Sequence, residues 1–322
     1  MEILDLRLFP LGDLKPLLEE ENRLWQQKLQ WDFSPTVVWM LRMLEMKALA
    51  GYVAVERGQA KGYAYFFVSD QVDGRFKGLV GGVFVSRKSN NGDTGDRLIL
   101  HALETIQAMP GVERIEAQII LSTSEQIRQR FRLHGFRNYR RKFICFQSKQ
   151  SPVKLPELPP ALAVSPWDSG RFAEAATLIN LAYHGHVDSE INDQYRTFPG
   201  VSRFLANIVQ NKGCGIFQPE YSFFAISDRH SIPCAMILTS KVHDRVAHIT
   251  QLCVDPSFHG QGIGSHLLAL VLRKLRLAKY SAVTLTVTAT NNHALNLYEK
   301  FHFANMTDFD AFVWEVGASG SQ

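Results

Sequence analysis

Cysteine is scarce in this 322-residue chain: Cys145, Cys214, Cys234 and Cys253, none in a CxxC pair. That excludes a disulfide framework and a cysteine-based zinc site, and it fits a reducing cytoplasm. No apolar run reaches the ~20 residues a membrane helix needs; the Leu-rich stretch after Ser265 is broken at Arg273. Met1–Pro10 carries Glu2, Asp5 and Arg7 and no apolar core, so neither a secretory signal nor a membrane partner is expected. Neither sign of charge dominates. With 35 Lys+Arg against 31 Asp+Glu, anionic partners are permitted but not required. The tripeptides GKS and GKT of a Walker loop are missing. What remains is an ordinary globular composition, 46% hydrophobic, long enough for two domains.

The clearest divider is Ser148–Ala161, SKQSPVKLPELPPA, whose four prolines forbid helix and favour an extended connector. The expected organisation is a domain at 1–147, a linker at 148–161, a domain at 162–317 and a short tail at 318–322. Before the linker, strand patterns fall at Ile3–Leu8, Gly51–Glu56, Gly62–Ser69, Leu79–Val85, Val112–Ile120 and Lys142–Gln147. Helical patterns fall at Leu14–Lys28, Thr36–Ala50, Asp96–Ala108 and Ser124–Leu133. After it, strands are expected at Leu162–Pro166, Ser222–Ser227, Pro233–Thr239, Ala247–Val254, Val283–Thr288 and Phe312–Val316. Helices are expected at Ala173–Tyr183, Val201–Gln210, Ser265–Lys279 and Ala294–Lys300. The order of elements is the same in both halves. Val85–Leu98 overlays Val254–Leu267 without gaps, and Phe131–Phe136 overlays Tyr298–Phe303. That reads as duplication of a half-length unit rather than a short solenoid repeat.

HITQLCVDPSFHGQGIGSHLLALVLRKL, from His248, carries the sharpest local signal. A strand ends at Pro256, Gly260, Gly262 and Gly264 follow, and an apolar-periodic helix begins near Ser265. Glycine backbone feeding a helix start presents unpaired N–H groups and the positive end of the helix dipole, which suits an anion such as pyrophosphate. A plain turn before a core helix is the simplest alternative. A dinucleotide fingerprint needs GxGxxG directly after the strand and an acid about 20 residues on. Here the spacing is GxGxG, and SAVTLTVTAT at 281–290 holds no acid.

VDPSFHGQGIGSHLL resembles motif A of the GNAT N-acetyltransferase superfamily, whose core is Q/R-x-x-G-x-G/A. Gly262 and Gly264 match it, and His259 replaces the usual Gln or Arg. NNHALNLYEKFHF is similar to a second pattern of the family, N-x-x-A-x-x-L-Y-E-K-x-G-F. It matches at Asn291, Ala294, Leu297, Tyr298, Glu299, Lys300 and Phe303, with His302 replacing glycine. The resemblance covers residues 161–316 directly and the first half only through the internal repeat. It implies an α/β fold of two GNAT-like domains. Each would be a mixed, mostly antiparallel sheet flanked by helices, with a central pair of parallel strands that splay apart.

The resemblance further implies acetyl-CoA as cosubstrate, no metal, and transfer of acetyl to a primary amine on a small molecule or peptide. Backbone at Leu252, Cys253 and Val254 would bind the pantetheine arm. His259, Gly260, Gln261, Gly262, Ile263, Gly264 and Ser265 would hold the pyrophosphate, with Asn291 contacting the cofactor arm. Tyr298 would be the general acid for the departing thiolate; the bland alternative is an aromatic packed on Leu295 and Phe301. For the base, His248 stands near the family position, since a neutral imidazole can take a proton near pH 7. A strand-end histidine without a role, or a water chain in place of a base, is the alternative. Tyr183, His184, His186 and Tyr195, with Phe198, are expected to line the acceptor pocket. His184, His186 and Asp188 lack a further cluster in sequence that would make a metal site.

In the first half, Asn90, Asp93 and Gly95 stand where His259, Gly262 and Gly264 do, and Phe131 replaces Tyr298. A carboxylate repels a pyrophosphate and a phenyl ring has no proton to give, so this copy is expected to be silent. The segment 128–143, RQRFRLHGFRNYRRKF, interleaves six arginines and Lys142 with aromatics. It reads either as a nucleic-acid surface or as a face whose arginines pair with acids elsewhere. A non-catalytic acyl-CoA sensor and an RNA-associated protein are the alternatives to an enzyme.

Overall fold

The computed structural model describes residues 1–70, 75–89, 93–121, 124–149, 152–210, 214–228 and 231–317. Packing divides the chain into two compact units. One is Met1–Arg141 together with the chain from Asp308 onward; the other is Lys142–Thr307. The proline-rich linker therefore lies wholly inside the second unit, and the last strand is shared out to the first. The expected tail at 318–322 and Asn90 lie outside the described residues.

The first unit runs β1 (Glu2–Asp5), α1 (Leu11–Leu29), α2 (Ser34–Glu45), β2 (Ala50–Glu56), β3 (Gln59–Asp70) and β4 (Phe76–Val85). Then come α3 (Asp93–Gln107), β5 (Val112–Ile119), α4 (Glu125–Leu133) and the start of β6 (Arg137–Gln147). The second unit holds the rest of β6, β7 (Leu162–Pro166), α5 (Phe172–Tyr183), α6 (Val187–Ile191), α7 (Phe198–Val209), β8 (Ile216–Phe217), β9 (Phe223–Ser227) and β10 (Pro233–His243). It continues with β11 (Val246–Val254), α8 (Ile263–Leu277), β12 (Ala282–Thr288), α9 (Asn292–Lys300) and the start of β13 (Ala304–Glu315).

In the first unit, strands β1, β2, β3 and β4 pair antiparallel, β4 pairs parallel with β5, and the end of β13 lies antiparallel on β5, Asp310–Glu315 against Ile119–Arg114. In the second unit the order is β6-β12-β11-β10-β9-β7, with β8 on β10 and the parallel pair at β11/β12. Each unit thus has a mixed sheet that carries a parallel pair, as expected. Alternation makes these strands two-faced. In β11, Ala247 and Ile249 enter the core with α8, and a register shift at Thr250 then reverses the alternation, so that Cys253 faces α5 and α7. Helix α8 presents Leu267, Leu268, Val271, Leu272 and Leu275 to that core. Each is fully buried, worth roughly 1.5–3 kcal/mol against exposure.

Several expected strands are longer than their patterns, and two of them begin five or more residues early. β6 begins at Arg137 rather than Lys142, and β13 at Ala304 rather than Phe312. RNYRR and ANMTDFD carry no apolar alternation, because both stretches are largely exposed or half-exposed. The linker is pinned within its unit: His266 Nδ1 lies 2.7 Å from Pro156 O, and Val153 and Leu158 pack on the α8 core.

The arginine-rich segment is laced with acids of its own unit. Arg128 pairs with Asp310 and Glu125, Arg130 with Asp96, Arg137 with Glu315 and Arg140 with Asp308. That is the paired-face reading of this stretch. Among the described residues no helix is long and apolar enough to cross a membrane.

Candidate active site

Strands β11 and β12 pair only at Val246–Ala282, Ala247–Val283 and His248–Thr284. Beyond that ladder both run on, to Val254 and Thr288, with no further pairing between them. Strand β10 covers the other edge of β11 up to Ala235–Val254. The two parallel strands thus part as the resemblance implied, and one edge of Leu252, Cys253 and Val254 is left without a β12 partner.

Beyond the end of β11 the chain turns through Gly260 and Gly262, both at φ 77, a left-handed conformation in which glycine is unstrained. Gly262 is the N-cap of α8 and no side chain caps the helix, so its first amides are left for an external acceptor. A Cβ at Gly260 or Gly262 would meet nothing within 4 Å, whereas one at Gly264 would sit 3.6 Å from Val254. The loop is thus open on its outer side and packed on its inner side, and these residues fit an anion. Gln261 is exposed, Ser265 half-buried and Ile263 buried in the core. His259, in place of the family's Gln or Arg, sets Nε2 3.1 Å from Val254 O, with its ring near-parallel to that of His293.

Asn291 caps α9: its Oδ1 accepts from the Ala294 amide at 3.1 Å, and its Nδ2 lies 3.1 Å from His186 Nε2. Its backbone is engaged as well, the N–H donating to Thr288 O at 2.9 Å and the O accepting from Leu295 N at 3.0 Å, so Asn291 serves the β12–α9 junction and the second hydrogen of Nδ2 is what it has left for the cofactor contact expected of it. Tyr298, one helical turn beyond Ala294, is buried against Phe303. Burial, then the nearby Asp188 carboxylate, raise its phenol well above the ordinary range, so it stays protonated.

His248 departs from expectation. It is buried on the sheet, with Nδ1 2.9 Å from Thr284 Oγ1 and its ring stacked near Phe143. Burial lowers its pKa to about 3. An imidazole that resists protonation to that degree is ill suited to take a proton from an ammonium. Its surroundings are those of a packed core histidine.

The acceptor-side residues separate as well. Tyr183, His186 and Tyr195 converge: the Tyr183 and Tyr195 rings stack at 4.2 Å, and His186 meets Tyr183 edge-on at 5.2 Å. His184 is exposed at the end of α5, and Phe198 is exposed on α7. Four further residues join the cluster. The Thr288 hydroxyl donates to Asp188 Oδ1, tying the end of β12 to α6. Gln251 Oε1 lies 3.5 Å from Tyr195 Oη. Cys253, two residues along the same face of β11, contributes with Tyr195, Asp188 and Tyr298 to the surroundings that, after burial itself, raise Tyr183. Sequence flagged Asp188 only as a metal candidate, and among the described residues no group of three or more His, Cys, Asp or Glu is placed to hold a metal.

Among the described residues the first unit differs at the equivalent places. Asp93 and Asp96 stand in the first turn of α3, and Asp96 is held by Arg130 at 2.6–2.9 Å. Where β4 runs on past β5, the Tyr65 ring lies so close to Gly81 that a Cβ there would fall 2.0 Å from it. Phe131 is fully buried in an aromatic stack.

Residues 189–303 match the family model described as the acetyltransferase (GNAT) family. No curated protein matches the chain in sequence. Solved structures share its fold along nearly the whole chain. A GCN5-related N-acetyltransferase from Sphaerobacter thermophilus has a TM-score of 0.68 at 17% identity, over 97% of this chain and 95% of that one. A tandem GNAT protein from the clavulanic acid biosynthesis pathway has a TM-score of 0.61 at 14% identity, over 99% of both. A glucosamine N-acetyltransferase region of a fungal multi-domain GH3 β-N-acetylglucosaminidase has 0.66 at 13%, over 97% of this chain and 38% of that one. Residues 189–303 thus match the GNAT family model, and along nearly its whole length the chain shares the fold of solved GNAT structures, a tandem GNAT protein among them.

Proposed function

We propose that the second unit is an N-acetyltransferase that moves acetyl from acetyl-CoA directly to a primary amine, and that the first unit is catalytically silent. The observation that carries this reading is the gap between β11 and β12, which opens onto the uncapped start of α8 and has the protonated Tyr298 beside it. Acetyl-CoA would supply the activated acetyl group as a thioester. The amides at 263–265 would hold its pyrophosphate, and the free edge of Leu252, Cys253 and Val254 would pair with its pantetheine arm as a strand does. Tyr298 keeps a proton at the wall of the gap, ready for a sulfur that leaves as thiolate. The packed faces of α8 and α9 exclude water from one side of the gap.

The test is thiol release from acetyl-CoA by the native chain with a panel of primary amines, alongside calorimetry of acetyl-CoA binding. Turnover with any amine supports the enzyme. Tight acetyl-CoA binding without turnover across the panel would assign the fold to a binding or sensing role instead.

A further inference from the structure

The second unit holds a cavity apart from the gap between β11 and β12. Its volume is about 570 Å³, within the range of small-molecule sites. Three stretches of chain wall it. The β7–α5 junction gives Trp167, Asp168 and Phe172, the end of α7 gives Val209 and Gln210, and β8 gives Phe217. Helix α5 starts at this cavity with Phe172 and reaches the acceptor-side cluster only at its other end, with Tyr183. At 1.5 Å per residue that separates the two places by roughly 17 Å.

The walls are aromatic and fixed. The Trp167 and Phe217 rings meet at 78° with centroids 5.4 Å apart, which makes a corner. The Phe224 ring, fully buried, stacks on the indole at 5.2 Å and holds it from behind. The backbone is tied down as well. Trp167 N–H donates to Ser222 O at 2.8 Å, and Phe217 pairs with Ser240 of β10. Phe172 adds a third ring to the lining, and all three lining rings are half-buried.

Of the residues that line the cavity, Asp168 alone carries a charge; no lysine or arginine is among them. Its Oδ1 accepts from the Gly170 amide at 2.8 Å, which anchors the carboxylate at the wall. The start of α5 adds a partial positive charge and the carbonyl end of α7 opposes it, so the full charge of Asp168 sets the sign. A primary ammonium has three N–H donors to satisfy, and one carboxylate among three rings serves it badly. A quaternary ammonium has no N–H, and aromatic faces hold it by their negative quadrupole.

We propose that this cavity binds a quaternary ammonium group, seated in the corner of Trp167 and Phe217 with Asp168 as its counter-charge. The site stands whether or not the second unit transfers acetyl.

The experiment titrates the full chain with choline and, in parallel, with its neutral carbon isostere 3,3-dimethylbutanol, read by saturation-transfer NMR and calorimetry. Choline binds saturably in the millimolar range or tighter, and the isostere binds at least fivefold more weakly, because it lacks the charge. D168N keeps an oxygen for the Gly170 amide and lowers choline affinity threefold or more. F217L removes one wall of the corner and lowers it fivefold or more. Thermal melting of both variants shows that they are folded, and D168N carries the test by itself if F217L is not. Absence of saturable choline binding up to about 50 mM, equal binding of the isostere, or unchanged choline affinity in folded D168N or F217L would each overturn the proposal.

Discussion

The Phe312 ring lies flat on the Phe131 ring, centroids 3.9 Å apart and planes 5° from parallel. Phe312 comes from the last strand and Phe131 from α4, and both are fully buried in the first unit. A segment from the far end of the chain therefore completes the first core. Phe312→Ala would remove one half of the stack and leave a cavity beside Phe136 and Ile127, at a cost of about 3–5 kcal/mol. Urea unfolding of the full chain measures it; a loss under 1 kcal/mol would mean that the strand is dispensable to that core. Phe131→Tyr should not restore acetyl-CoA binding to this unit, since it only buries a hydroxyl in the stack.

Two buried titratable groups give stability opposite slopes in pH. Glu21 sits in the α1 core, accepting from Tyr63 Oη and, at 3.3 Å, from Trp25 Nε1. Burial raises its pKa to about 7, against those two hydrogen bonds. The folded chain therefore holds a proton that the unfolded chain releases near 4.5, and stability falls as pH rises from about 4.5 to 7. His248 is lowered to about 3 from 6.5, so the unfolded chain binds the proton first and stability falls as pH drops from 6.5 toward 3. Glu21→Gln should make the chain more stable at pH 8 by about 3 kcal/mol while changing it little at pH 4.5. His248→Leu should flatten the acid side and leave turnover within a few fold. A hundredfold loss of turnover in that variant would restore His248 as the base.

Gly262 separates loop chemistry from loop folding. The space beyond it is open, so Gly262→Asp meets no atom within 4 Å of its Cβ. It does force a left-handed φ on a side chain, a strain of roughly 1–2 kcal/mol. It also places a carboxylate where a pyrophosphate would bind, as Asp93 does in the first unit. Calorimetry should show acetyl-CoA binding abolished while the melting temperature falls by only a few degrees. Asp93→Gly should gain no binding. Undiminished affinity in Gly262→Asp would place the anion elsewhere.

Much of this was legible because the signals are local. Alternation in IILSTS-flanked β5 or in LCV of β11 reports burial of one face, and Gly260 and Gly262 report backbone that only glycine adopts without strain. The motif around Tyr298 likewise sits in one helix. What sequence hid depends on distant partners. RNYRR and ANMTDFD become strand only because other strands lie beside them. Helix α6 is a single short turn capped by the His186 imidazole, a signal no periodicity carries. Asp188 acquires its meaning from Thr288, a hundred residues away. The burial of His248 depends on Phe143 from another strand, so a histidine that reads as a base becomes a core residue.

Tyr298 decides between an enzyme and a binding module. Its ring packs on Phe303 in the α8–α9 core, and Tyr298→Phe keeps that packing while removing only the phenolic proton. Acetyl-CoA affinity should stay within a few fold, because the proposed contacts are backbone groups of β11 and the start of α8. Turnover at saturating acetyl-CoA should fall by ~10²–10⁴, the range for loss of a positioned general acid. Burial and the Asp188 charge also dictate a pH signature. They hold the phenol protonated above its ordinary range, so the native enzyme should show no loss of kcat from this group as pH rises to 9. Removing the Asp188 charge in D188N should lower the Tyr298 midpoint, since one cause of its rise is then gone. Equal turnover in native and Tyr298→Phe chains would leave Tyr298 as a packing aromatic and pass the leaving thiolate's proton to water.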